Sequence, residues 1–401
     1  MTSTTLPATN AAQKTAFAVI FAVAACHLIN DIMQSLLSAI YPLLKESYGL
    51  DFVQIGLLTF TFQVTASLLQ PVIGIYTDKR PLPYSLAAGM GSTLIGLIVL
   101  GFARDYWLLL LGSALIGFGS AVFHPESSRV ARLASGGRHA FAQSTFQVGG
   151  NVGSSVGPLL AAFVVLPHGQ SSVAWFAGAA LVGIVMLTWV GRWYSEHRRQ
   201  SANRPPVSTA LPFDKRTTLI ALIVLTLLTF TKNVYMAGVS SYYTFYLIDK
   251  FGVDVQQSQL LLFLFLGASA LGVFIGGPIG DKWGAKFVIW FSILGVVPFT
   301  LALPYADYTW TIVLSIVIGI IFSSAFSAIV VFAQELMPGR VGMIAGIFFG
   351  FAFGSGGIAA AALGLLADVR GIGFVFVVTS YLPLLGLLTI FLPKMDTRHR
   401  A

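Results

Sequence analysis

The stretch Asn30–Lys79, NDIMQSLLSAIYPLLKESYGLDFVQIGLLTFTFQVTASLLQPVIGIYTDK, returns 203 residues later as Asn233–Lys282, NVYMAGVSSYYTFYLIDKFGVDVQQSQLLLFLFLGASALGVFIGGPIGDK. Laid over one another without a gap, the two agree at 15 of 50 positions. The matches include Asn30 with Asn233, Asp51 with Asp254, Asp78 with Asp281 and Lys79 with Lys282. Shared apolar composition would not align such polar residues. The chain therefore reads as two copies of one unit in the same orientation.

Composition says what the unit is made of. Of 401 residues, 56% are apolar and 9% charged, against roughly 25% charged in a soluble domain. This excludes an ordinary soluble surface. Each span of a bilayer's hydrocarbon core takes about 20 apolar residues. Twelve runs qualify: 16–41, 53–77, 84–103, 107–133, 140–166, 173–191, 218–248, 256–279, 286–303, 309–336, 341–366 and 372–392. The expected organisation is a polar tail 1–15, six helices over 16–191, a basic loop 192–217, six helices over 218–392 and a tail 393–401. The run from 16 is read as a retained first span, being too long for a signal peptide. The expected fold class is an all-α polytopic membrane protein.

The net charge of +8 sits in short connections between spans, so topology explains it and nucleic acid is not an expected partner. With both termini inside, eighteen Lys and Arg fall on the cytoplasmic side and four outside, with Lys232 within a span. Positive residues favour the inner side. One cysteine, Cys26, excludes an intrachain disulfide and a cysteine-based metal site. No Walker loop and no His-Glu-x-x-His occurs, so neither an enzyme, a metal site nor a cofactor is expected.

Two loops carry a recurring motif. The second reads Gly277-Pro-Ile-Gly-Asp281-Lys282-Trp-Gly-Ala-Lys286. The first, Gly74-Ile-Tyr-Thr-Asp78-Lys79-Arg80-Pro81, starts alike and then lacks the second glycine and final base. Such an Asp can cap a helix or pair with an Arg, as a gating latch or as a static turn. Span 5 has Gly149, Gly153, Gly157 and Pro158, a stripe that lets backbones approach closely. Span 11 repeats the spacing at Gly342, Gly346, Gly350 and Gly354 without the proline.

With its parallel repeat, these loops and this Gly-Pro stripe, the chain resembles the drug–proton antiporters of the major facilitator superfamily. Cys26-His27-Leu-Ile-Asn30-Asp31, Val122-Phe-His124-Pro125-Glu126-Ser-Ser-Arg129, Gln147-Val-Gly-Gly-Asn151 and Ser240-Ser-Tyr242-Tyr243-Thr-Phe-Tyr246 resemble its bacterial exporters of antibiotic phosphonates. The resemblance implies twelve helices in two pseudo-symmetric halves and a cavity between them. It also implies export of a small anionic phosphonate across the bacterial inner membrane by proton antiport, as a monomer.

Ionisable residues within spans are costly and point to function. Asp31 and His27 lie four apart on one face of span 1 and read as the proton site. Lys232 lies at matching depth in span 7, to hold an anionic substrate or keep Asp31 ionised; a structural Asp–Lys pair is the bland alternative. Glu126 is a further proton candidate. His124, Arg129, Asn30, Gln147, Asn151, Tyr242 and Tyr243 are candidates for substrate contact. Glu126 and Arg129, three apart, can instead pair near the cytoplasmic end. Gating is assigned to Asp78, Lys79, Gly277, Asp281, Lys282, Gly149, Gly153, Gly157 and Pro158. Rival expectations are an uptake symporter for a small anion or sugar phosphate, and a membrane sensor that does not transport.

Overall fold

The computed structural model describes residues 15–50, 52–201 and 210–395. The expected tails and the middle of the basic loop lie largely outside these. The helical rods are α1 (Phe17–Ala39), α2 (Phe52–Lys79), α3 (Ser85–Gly101), α4 (Tyr106–Ala134), α5 (His139–Leu160, prolonged through a π turn to His168) and α6 (Ala177–Ser201). Then come α7 (Lys215–Phe251), α8 (Val255–Trp283), α9 (Ala285–Leu294, continued by Val297–Ala302), α10 (Tyr308–Ser323 and Ala325–Leu336), α11 (Val341–Arg370) and α12 (Ile372–Ser380, continued by a 3-10 stretch to Phe391). No strand occurs among the described residues.

Of the twelve expected spans, ten meet the length and hydropathy of a membrane helix. The other two are α3 and α5. Helix α3 has 17 residues, about 26 Å at 1.5 Å per residue. In α5 the polar residues Gln143, Gln147, Asn151 and Ser154 dilute the apolar run, because they face protein and cavity rather than lipid. The basic loop is also shorter than expected. Helix α6 runs on to Ser201, and α7 already begins at Lys215.

Aspartates set several helix starts. Asp105, Asp214, Asp254 and Asp307 accept hydrogen bonds from first-turn N–H groups of α4, α7, α8 and α10, which are left without partners in the helix itself. The Thr217 hydroxyl and these N–H groups hold the Asp214 carboxyl below the usual carboxylate range. Within the first six helices, α1 packs on α5, α2 and α3 on α4, and α3 on α6. The first and last six meet along two seams, α2 with α11 and α5 with α8.

Both seams close at one end only. We call the base the end that holds the start of α1, the end of α4 and the start of α11; there Ala16 N–H donates to the Ala134 carbonyl at 2.8 Å. Near the base, a Cβ added to Gly74 would strike the backbone of Gly342, and one on Gly346 or Gly350 the backbone of α2. A Cβ on Gly277 or Gly280 would meet Ser144 or Ala140 of α5. Toward the opposite end, the mouth, a Cβ on Gly267, Gly354, Gly356 or Gly357 would meet nothing within 4 Å. The bundle is closed at the base and parted at the mouth.

Candidate functional site

Between the two sets of helices lies a cavity of about 680 Å³, walled by α5, α7, α8 and α10. Its floor carries Gln147 and Asn151 of α5, Lys232 of α7 and Phe326 of α10. The Lys232 ammonium lies 5.4 Å from the centre of the Phe326 ring. It has no ion pair among the described residues. The expected pairing of Lys232 with Asp31 is not formed. Matching positions in a repeat share depth, but α1 and α7 stand in different sets of helices, and Asp31 finds its partners within its own.

Those partners form a compact cluster. His27 Nε2 lies 3.4 Å from Asp31 Oδ2, one helical turn away on α1. His124 Nε2, from α4, lies 3.7 Å from Asp31 Oδ1 and 3.3 Å from His27 Nε2. Asn30 and Gln34 each donate to Asp31 Oδ1 at 3.1 Å. Ser154 of α5 donates to Oδ2 at 3.4 Å and also lines the cavity. Both histidines are buried, and the Asp31 side chain is 10% exposed.

Hydrogen placement follows from the partners. His27 Nδ1 faces the Phe146 carbonyl at 2.7 Å, and His124 Nδ1 the Ser120 carbonyl at 3.0 Å. A carbonyl only accepts, so each Nδ1 carries the hydrogen of a neutral ring. Both Nε2 atoms then turn bare lone pairs toward each other and toward a carboxylate. Three acceptors at this spacing repel unless at least one hydrogen lies among them. A hydrogen placed among them would relieve that repulsion, and Ser154, which donates to Asp31, also lines the cavity.

An aromatic bridge links this cluster to Lys232. Phe349 of α11 lies 5.3 Å from the His124 ring, 6.0 Å from Phe146 and 5.2 Å from Phe326. Phe353, on the same helix, lies 5.2 Å from His124. Sequence reasoning missed Phe349, Gln34, Ser120 and Ser154, because only tertiary packing brings them here.

A second polar cluster lies at the base, away from the cavity. Asp78 Oδ1 accepts from Arg129 Nη2 at 2.6 Å and from Gly342 N–H at 2.9 Å, and Oδ2 from Met343 N–H at 2.8 Å. Arg129 also donates to the Thr77 carbonyl at 2.6 Å and pairs with Glu126 Oε1 at 3.3 Å. Asp281 does the equivalent across the other seam, accepting from Ala140 and Phe141 N–H at 2.9 and 3.0 Å. Each aspartate thus caps the first turn of a helix in the opposite set, where the helix dipole favours negative charge. The first motif lacks its later glycine and base, yet its Asp78 makes the same kind of contact across the seam.

Several assignments change accordingly. Arg129 is a base residue and does not reach the cavity. Glu126 belongs to the same base cluster and not to the Asp31 cluster. His124 is buried against Asp31 and aromatic rings, so it does not present itself to a substrate, and Asn30 supports Asp31 from beneath. Tyr242 donates to the Ala360 carbonyl at 2.6 Å, and Tyr243 is buried against Phe265 and Phe376; neither lines the cavity. Lys79 and Lys282 are exposed at the base, the latter beside Trp283.

The Gly149, Gly153 and Gly157 stripe does not face the opposite set. A Cβ on the first two would strike the Ala24 and Leu28 carbonyls, and one on Gly157 the Ser35 hydroxyl. The stripe seats α5 on α1, inside one set. Pro158 follows in the same helix, its side chain outside the described residues. Gly153→Leu is expected to cost about 1–3 kcal/mol by overpacking, lowering the melting temperature of the detergent-solubilised protein. Gly354→Leu, facing open space, serves as the neutral comparison.

Residues 23–361 and 225–401 match the Major Facilitator Superfamily. The chain is 56% identical over 387 residues to the fosmidomycin resistance protein of Escherichia coli strain K12, covering 96% of this chain and 95% of that one. It is 37% identical over 383 residues to the uncharacterized MFS-type transporter YfnC of Bacillus subtilis strain 168, covering 95% and 94%. Its fold is similar to that of FucP crystallised in the outward conformation, with TM-score 0.72 and 14% identity over 95% of this chain and 98% of that one. The human organic anion transporter MFSD10 gives TM-score 0.75 and 16% identity over 95% and 100%.

Proposed function

Because the chain belongs to the Major Facilitator Superfamily, we propose that it exports a small anionic antibiotic, a phosphonate of the fosmidomycin kind, across the bacterial inner membrane in exchange for protons. The base is then cytoplasmic, with both termini inside. The state described is outward-facing, its base shut by Asp78 and Asp281.

The observation that carries this reading is Lys232. An ammonium with no carboxylate partner, on the floor of a cavity between two sets of helices, calls for an anion. Gln147 and Asn151 add amide groups that suit phosphonate oxygens and polar ends. Protons arriving from the mouth reach Asp31 past Ser154. Phe349 then passes the state of the cluster to Phe326 and Lys232 by packing alone. Proton loading favours return to the inward-facing state, and proton release on the cytoplasmic side accompanies substrate loading.

The test uses purified protein in proteoliposomes with an acid lumen and a luminal pH dye. Fosmidomycin added outside is expected to drive protons out of the lumen. No proton movement, with substrate still bound, would refute antiport. In the same assay Lys232→Gln is expected to raise the substrate concentration for half-maximal flux at least about tenfold, since removing one partner of a buried charge pair costs about 2–5 kcal/mol. An unchanged half-maximal concentration would remove Lys232 from the anion site.

A further inference from the structure

The two bare Nε2 lone pairs and the carboxylate of His27, His124 and Asp31 form a donor set of another kind. One ligand atom from each lies within 4.8 Å of the others. We propose that this cluster is a binding site for a divalent transition-metal ion of the Zn2+ class, entering from the cavity. The inference stands on donor geometry and holds whether or not the transport reading does.

Four features fit. Neutral imidazole nitrogen and carboxylate oxygen are the ligands such ions take. The 3.3 Å between the two Nε2 atoms is what two ligands about 2.05 Å from a tetrahedral centre would span, about 3.3 Å. Each Nδ1–H is donated to a backbone carbonyl, which fixes the ring with Nε2 forward, as outer-shell partners of metal-bound histidines do. Finally, the backbone of Gly150 packs against the cluster: a Cβ there would strike the His27 ring and approach the Asp31 carboxylate, so glycine is what leaves these ligand atoms unobstructed by a side chain. Ser154, beside Asp31 and lining the cavity, marks the approach for the ion and its remaining water ligand. The expectation of no metal site came from cysteine count and local motifs. Neither registers histidines 97 residues apart.

The experiment uses the full chain without a polyhistidine tag, titrated with Co2+ as the probe. Wild type is expected to take up one Co2+ per chain with the intense visible absorption of a four-coordinate ion, displaced by Zn2+. His27→Gln and His124→Gln should lose the band, and His168→Gln, on the surface, should keep it. His124→Cys guards against misfolding: it should retain the ion and shift the absorption through thiolate ligation. No band in wild type, a band unchanged in His124→Gln or His124→Cys, no band in His124→Cys, or one lost in His168→Gln would each overturn the proposal.

Discussion

Asp31→Asn is expected to abolish substrate-driven proton movement while leaving the protein folded and able to bind substrate. The substitution keeps the shape of the side chain and imitates a carboxyl that never releases its proton. Its amide can donate to His27 Nε2, now 3.4 Å from Asp31 Oδ2, so that buried lone pair gains a donor. The stability cost should stay near that of one exchanged hydrogen bond, about 1 kcal/mol. Coupling should be lost outright, because a group that cannot titrate carries no proton. Proton flux should drop to the level of empty liposomes, while binding persists and substrate still moves down its own gradient. The measurement is luminal pH beside substrate flux in the same proteoliposomes. Wild-type proton flux in this variant, at equal protein content, would remove Asp31 from the coupling path.

Asp78→Asn is expected to open the base. The carboxylate accepts from Arg129 and from two N–H groups of α11 at once. An amide can accept these with one oxygen only, and its NH2 would face donors. Hydrogen bonds to a charged group contribute about 1.5–3 kcal/mol. Losing them in the outward-facing state alone shifts the balance toward the inward-facing state by roughly ten- to a hundredfold. Ser67→Cys reports this, since Ser67 lies under Gly350 in the closed seam and the native thiol, Cys26, is buried. Its alkylation rate by a charged maleimide supplied at the base should rise by that factor when Asp78→Asn is added. An unchanged rate would make the Asp78 contact a static turn.

What could be read from residues alone was local or periodic. The 203-residue repeat located the pairs of equivalent helices. Spacings of four and three residues placed His27 beside Asp31 and Glu126 beside Arg129, because a helix enforces those distances. Azimuth and partner choice across helices were not legible. Depth along α7 placed Lys232 near the midplane, but nothing in the spacing says which wall it occupies. The glycine stripe of α5 has the same period as that of α11, yet one seats a helix within its own set and the other closes the seam to the opposite set. Sequence period reports that a face is smooth, and only packing decides what lies against it. His124 shows the same limit, since its contact with His27 depends on how α4 crosses α1.

The α2–α11 seam has a consequence for hydration. When the base opens, the strip of Gly342, Gly346 and Gly350 must be wetted, and when it shuts the same strip must dry. Leucines there would bury apolar area at about 25 cal/mol per Å², and the dry form would then be hard to leave. Bare glycine backbone has its carbonyls already bonded within the helix and offers little apolar area, so wetting and drying cost nearly the same. A seam of this kind is nearly indifferent to its own state. The direction of the cycle is thereby left to the few charged groups at its ends, which protons, ions and cargo are able to address.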